Sequence, residues 1–334
     1  MIKPRTVALM ILLPLATLYV SLFIGRFAVH PGEVAHILLG QFLPIPHDWP
    51  RSVETIVLQI RLPRAILAMF VGAGLAISGA AFQGMFRNPL VSPDILGVTA
   101  ASGFGAALAL LLSRGAFELE LIAFLFGISG VGLTYLLART YRSTPMLMLV
   151  LSGVIVAAFF SALLSGAKYL ADPESKLPAI TYWLLGSLNG ASMRSLKVAL
   201  PPIILGGAGL MLVRWRLNVL SMGDEEARSL GVRTDRLKGI IIVCTTLITA
   251  AAVSVCGIVG WVGLVIPHLA RMWVGPDHRA LLPAACSIGA TYLLLIDDVA
   301  RTASASEIPL GILTAIVGAP FFAYLLRKTQ GGWQ

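Results

Sequence analysis

Residues 221–239 read SMGDEEARSLGVRTDRLKG and hold Asp224, Glu225, Glu226, Arg228, Arg233, Asp235, Arg236 and Lys238. In a chain with only 12% charged residues, that density marks a segment lying in water and able to pair with a charged surface. A sparser set lies elsewhere. Arg61 and Arg64 precede one apolar run, Asp297, Asp298 and Arg301 close another, and His268 sits within a third. Guanidinium groups bind carboxylates bidentately, so these arginines could take acidic partners or reach toward lipid headgroups. The aspartates read as an interfacial helix end, and His268 as a packed histidine bonded to a neighbouring helix. No nucleophile and base stand together, and no G-x-x-x-x-G-K-[ST] phosphate loop is present. Cys244, Cys256 and Cys286 lie in apolar runs without metal spacing. The expectation is no catalytic residue, no metal site, and a function other than catalysis.

The elements that carry these groups are set by hydropathy. Hydrophobic residues make up 57% of the 334, and mean hydropathy is +0.87, far from a typical soluble domain. About 20 mostly apolar residues cross a bilayer. Such segments fall near 7–28, 65–86, 95–113, 119–138, 146–168, 196–213, 239–258, 260–275, 281–300 and 308–326. The fold class is therefore all-α, a polytopic membrane protein of about ten transmembrane helices, read as one domain over 1–334. The run at 260–275 is short and holds Pro267 and His268; YWLLGSL at 182–188 is too short to span and reads as a re-entrant or surface helix. Lys3 and Arg5 lead an apolar run without a small-x-small cleavage site, which reads as an uncleaved first span.

Ten spans put both termini on one side. Placing them in the cytoplasm gives the loops there fifteen Lys and Arg, Arg139 and Arg142 among them, against ten outside, in line with the positive-inside rule. The net charge of +9 is thus an orientation signal, and no nucleic-acid partner is expected. Proton- or sodium-coupled carriers keep ionisable groups within the bilayer. These spans hold almost none, which argues against a secondary transporter or channel. If transport is energised, the absence of a phosphate loop means that the energy must enter from another chain, and the cytoplasmic loop is the obvious place.

Within that loop Ser221 is a candidate cap for a helix from about Met222, with acids in its first turn favouring the positive helix end. Gly231 is a plausible stop, and Thr234 can cap a second short helix leading into the seventh span. Met222, Ala227, Leu230 and Val232 would then stand among salt-bridging charges, a surface suited to docking a soluble protein.

Several blocks in order resemble the permease subunits of type II ABC importers, the family that moves iron-siderophores, haem, vitamin B12 and sometimes molybdate. They are QIRLPR at 59–64, GAGLAISGAAFQGMFRNPLVSPDILGV at 72–98, YWLLGSL at 182–188, ARSLGV at 227–232, GLVIPHLAR at 263–271, DDVAR at 297–301 and IPLGILTAIVGAPFF at 308–322. The resemblance implies a homodimer of ten-helix subunits in the cytoplasmic (inner) membrane. Two separate ABC ATPase subunits would bind ATP and Mg, this chain binding no cofactor, and a periplasmic or lipid-anchored substrate-binding protein would deliver cargo. It makes 221–239 the coupling helices, with Gly223, Glu225, Glu226, Arg228, Leu230 and Gly231 at the ATPase joint. It gives Arg61, Arg64 and Arg301 to binding-protein docking. Asn88 and Leu90 match positions at a cytoplasmic gate. Ser143-Thr144-Pro145-Met146 opens the fifth span, which lines the path in the family, and Ser152, Val156 and Phe160 become lining candidates. Gly72, Ala76, Ala80 and Gly84 form a small-residue stripe for close helix packing. By family frequency the implied cargo is an iron-siderophore, with haem, vitamin B12 or molybdate as alternatives.

Overall fold

Helices and the loops between them account for residues 3–44, 46, 49–139, 145–304 and 306–329, which the computed structural model describes. Arg142, Ser143 and Thr144 lie outside the described residues. Among the described residues seven helices are long and apolar enough to cross a membrane. They are α1 (Pro4–Phe23); the run Arg51–Phe86; α6 (Ala116–Ala138); α7 (Met146–Tyr169); α9 (Met193–Leu220); α11 (Thr234–Cys256); and α13 (His278–Thr302). Two shorter apolar helices, α5 (Val98–Leu111) and α12 (Val262–Val274), and α14 (Leu310–Thr329), with its apolar stretch over Leu310–Tyr324, supply the rest of the ten expected segments.

Boundaries moved where local chemistry outweighs hydropathy. The second span starts at Arg51 because α3 (Arg51–Thr55), a π-helical turn (Ile56–Arg61) and α4 (Leu62–Phe86) run on without a break. The extra residue of a π turn shifts the helical register, so Arg61 faces inward. α9 continues past 213 to Leu220 despite Pro201 and Pro202. α2 (Pro31–Gly40), unforeseen from hydropathy, is held by a capping box between His30 and Glu33. YWLLGSL is a junction: Tyr182–Leu184 finish α8 (Lys176–Leu184), and the chain then turns away. There the Ser187 N–H donates to Cys256 O (2.8 Å), and Gly186 O accepts from the Leu310 N–H (2.8 Å), which launches α14.

Burial ranks the helices. The apolar windows of α4, α11 and α13 are 78%, 72% and 72% buried, against 22% for α1 and 28% for α7. α4 and α13 meet backbone to backbone: a Cβ on Gly72 would sit 2.2 Å from Gly289 O, and Gly289 itself lies on Gly72 and Ala76. Gly84, one turn past Ala80, lies against the His278 ring. The small-residue stripe is therefore the α4–α13 seam, the arrangement lipid-embedded helices use to approach closely.

Candidate functional site: an exposed charged loop and a buried ionic cluster

α4 connects two polar clusters. Its 25 residues at about 1.5 Å rise separate them by roughly 35 Å. At the Arg87 end the chain leaves α9, turns, and forms α10 (Asp224–Ser229). The helix begins later than Ser221 would dictate. Gly223 takes the N-cap at φ 144°, and a side chain there would meet both that backbone strain and the Glu226 carboxylate. Ser221 Oγ donates back to Asn218 O (2.8 Å) and caps nothing. Three acids fill the first turn of α10 and Arg228 its last, which suits the helix dipole. The expected second short helix is the first turn of α11, continuous with the span. Thr234 does not cap it; its hydroxyl accepts from Arg228 Nε (3.0 Å).

The underside of this loop is fixed and its outer face is open. Ala227 is fully buried, and Lys238, buried, pairs with Asp224. Met222 and Leu230 are each 62% exposed, and Glu225, Glu226, Arg228 and Gly231 are exposed beside them. Of the residues expected at the joint only Gly223 is buried; it shapes the turn rather than the surface.

Sequence reasoning missed what ties this loop to the bundle. Asn218, five residues before Gly223, donates to Asp277 Oδ1 (2.6 Å), and its Oδ1 accepts from the His278 backbone N–H and lies 2.8 Å from His278 Nδ1. The Arg279 backbone N–H, ahead of the Asn218 amide, holds the Asp277 carboxyl below the ordinary carboxylate range. A second bracket joins α4 to α12: Gln83 Nε2 donates to the Gly263 and Leu264 carbonyls, and Gln83 Oε1 accepts from Arg271. A cleft of about 440 Å³ lies between these brackets, lined by Arg87, Asn88, Ser221, His268 and Arg271 among others. The only signal for Asn218 was a lone amide ending an apolar helix.

Asn88 and Leu90 sit at the same end. Arg87 closes α4 in the left-handed conformation; Asn88 Oδ1 then accepts from the Leu90 N–H (2.9 Å) and leaves Leu90 54% exposed. The lining candidates of α7 fall differently. Ser152, Val156 and Phe160 are buried, with Phe160 against the rings of Phe104 on α5 and Phe126 on α6. The open side of α7 is instead Leu147, Leu151, Val154, Ile155 and Phe159. The spacing by four was right for one helical face, and that face turned toward the core.

The cluster at the other end is neutral by count and closed. Arg64 donates bidentately to Asp297 and to Glu307, with contacts of about 2.9 Å to each. Arg301 bonds Asp298 and the Ser21 carbonyl and hydroxyl, and lies 3.9 Å from Asp297. Ser21 Oγ also donates to Asp298 (2.6 Å). Arg61 donates to the Leu22 and Phe27 carbonyls. The three arginines are only 5%, 8% and 8% exposed, so they present little charge outward and instead lash α1, α4, α13 and the segment before α14 together. Glu307 was invisible to sequence reasoning: it reads as an isolated loop acid, and only folding returns it to Arg64.

Comparison with known proteins gives this architecture its relatives. The molybdate import system permease protein MolB of Haemophilus influenzae is 41% identical across 98% of this chain and 97% of its own length. The “Probable iron chelatin transport system permease protein” of Helicobacter pylori is 42% identical across 84% of this chain and 85% of its own. A solved structure described as “An inward-facing conformation of a putative metal-chelate type ABC transporter” superposes at TM-score 0.87 with 41% identity, covering 98% of this chain and 100% of that one. The fold is that of a type II ABC importer permease. With residues 11–328 matching the model of the FecCD transport family, the chain belongs to that family, a membrane permease of ABC importers.

Proposed function

We propose that the chain is the membrane-spanning subunit of an ATP-driven importer, working as a homodimer on two ATPase chains that carry ATP and Mg. The observation that carries this is the loop at 221–239: one α-helical turn with Met222 and Leu230 bare among charges, wired through Asn218 to the start of α13. A push on α10 reaches the bundle through that link. ATP can switch such a machine only by binding one state better than the other, which the ATPase pair supplies. This face is then cytoplasmic, with both termini, and a periplasmic or lipid-anchored binding protein docks at the other end. There Arg61, Arg64 and Arg301 keep the docking face in shape from beneath. At the cytoplasmic mouth Asn88 orients Leu90 as a gate, and Ser152, Val156 and Phe160 back the wall that α7 offers to the path.

For cargo the reading is a metal chelate of the iron-siderophore class. A second reading, molybdate, has one observation in its favour: the likeness to MolB runs nearly end to end on both chains. Extraction of the tagged chain in mild detergent, with identification of what accompanies it, tests the machinery. A stoichiometric ATPase that is lost on changing Glu226, Arg228 and Leu230 is the expected result; a chain that arrives alone and transports without ATP overturns it. Uptake of labelled molybdate against a labelled ferric siderophore, in liposomes holding the whole complex, decides the cargo.

A further inference from the structure

α1 and α9 both pack on α4 and α13 but make no extensive contact with each other. Between them lies a groove of about 530 Å³ lined almost wholly by apolar atoms. Proline and small residues open it: Pro14 on α1, Ala73 and Gly74 on α4, Gly207 and Ala208 on α9. The space at Gly207 is real, since a Cβ there would find only Ile77 Cδ1, at 3.9 Å. At Met211 the groove runs into a second hollow of about 630 Å³, lined also by Leu212, Arg214, Trp215 and Arg279.

The two hollows differ in chemistry along one line. The first is hydrocarbon. The second carries two guanidinium groups and an indole that is 48% exposed. Among the described residues neither Arg214 nor Arg279 forms an ion pair. The nearby acid, Asp277, is hydrogen-bonded by Asn218 and by the Arg279 backbone, and it feels the Arg279 guanidinium only at longer range than an ion pair. Trp at this level is typical of the membrane–water boundary, and basic hollows between spanning helices take anionic lipid headgroups. Both walls belong to helices that are mostly uncovered, so the groove opens sideways.

We infer that this groove is a binding site for an anionic phospholipid, with an acyl chain between α1 and α9 and the phosphate on Arg214 and Arg279. The apolar length selects a lipid over free phosphate, and the paired cations select an anionic over a zwitterionic headgroup. The site lies at the root of α9, seven residues before Asn218 as counted from Met211, so its occupancy braces the link to α10.

The test is native mass spectrometry of the protein released from its own membrane, with retained lipid compared with the bulk. Enrichment of anionic phospholipid is expected. Arg214→Gln with Arg279→Gln should lower it about tenfold, and Gly207→Leu, which fills the groove from an open position, should lower it independently. Removing the same charge at Arg114 and Lys197 should leave it unchanged. In melting curves phosphatidylglycerol should raise the midpoint of the wild type, and phosphatidylcholine or inorganic phosphate should not. Retained lipid in bulk proportions, equal retention by both groove variants, or efficient copy-to-copy cross-linking through Leu212→Cys would each overturn the assignment.

Discussion

At the Arg64 end of α4 two guanidinium groups meet three carboxylates inside the fold and a third, Arg61, meets backbone carbonyls; at the Arg87 end Glu225, Glu226 and Arg228 of α10 face outward. In sequence the two regions look alike, as charges clustered at the ends of apolar runs. What separates them is where the partners lie. Arg64 has both of its acids on a later helix and loop of the same chain, whereas Glu225, Glu226 and Leu230 have no such cover. A buried pair broken on one side leaves an uncompensated charge in a medium that solvates it poorly. An exposed pair exchanges its partner for water at little cost. The same substitution chemistry should therefore give opposite phenotypes at the two ends: lost stability at one, lost association at the other.

The largest effect should come from Arg64→Ala, which removes the bidentate partner of both Asp297 and Glu307 and leaves Asp297 only Arg301, at 3.9 Å. A loss of about 3–5 kcal/mol is expected, read as a lowered melting midpoint and lower yield from the membrane. Asp297→Asn should resemble it. If Arg64→Ala melts like the wild type while weakening the binding protein, the cluster is a docking surface after all and the contrast between the two ends fails. Asn218→Ala comes next. It removes three hydrogen-bonding contacts, two of them to the start of α13, at a cost of about 1–3 kcal/mol. Its diagnostic consequence is uncoupling: the ATPase should still bind, but its hydrolysis should no longer respond to cargo-loaded binding protein. A variant that remains fully coupled would mean that the push on α10 reaches the bundle by another route.

The sequence made the ten apolar segments legible because the bilayer imposes a length and a composition that a hydropathy window reads directly. The small-residue stripe was legible for a related reason, since close helix approach restricts which side chains fit. Three things were not. The π turn at Ile56–Arg61 rotates Arg61 inward, and nothing in IVLQIR announces the extra residue. Glu307 meets Arg64 across 243 positions, a pairing set by tertiary folding alone. The face of α7 that carries Ser152, Val156 and Phe160 is as apolar as its opposite, so periodicity defined a stripe but not its direction. Around α10 the charges of Glu225, Glu226 and Arg228 stand exposed, as read, whereas Lys238 is buried on Asp224, and the cap was assigned to Ser221 because a serine there fits the pattern. Gly223, free to adopt φ 144°, settled it otherwise.

The smallest effect on stability, and the sharpest test of the contrast, belongs to Arg228. Its guanidinium lies 3.5 Å from Asp235, with both side chains about half exposed, and it also donates to Thr234. Exposed pairs of this kind contribute roughly 0–1 kcal/mol and weaken with salt, so Arg228→Ala should barely move the melting midpoint. Leu230→Ala, at a 62% exposed position, should move it less still. If α10 is a docking helix, both should nevertheless weaken ATPase association, because truncation of an anchor at the centre of an interface costs about 2 kcal/mol or more. The Arg228 loss should shrink as ionic strength rises, while the Leu230 loss should persist. Co-sedimentation of the two variants with the ATPase at low and high salt separates the contributions. Stable variants that bind the ATPase normally would make this segment a solvated connector and return the question of energy input to the rest of that face.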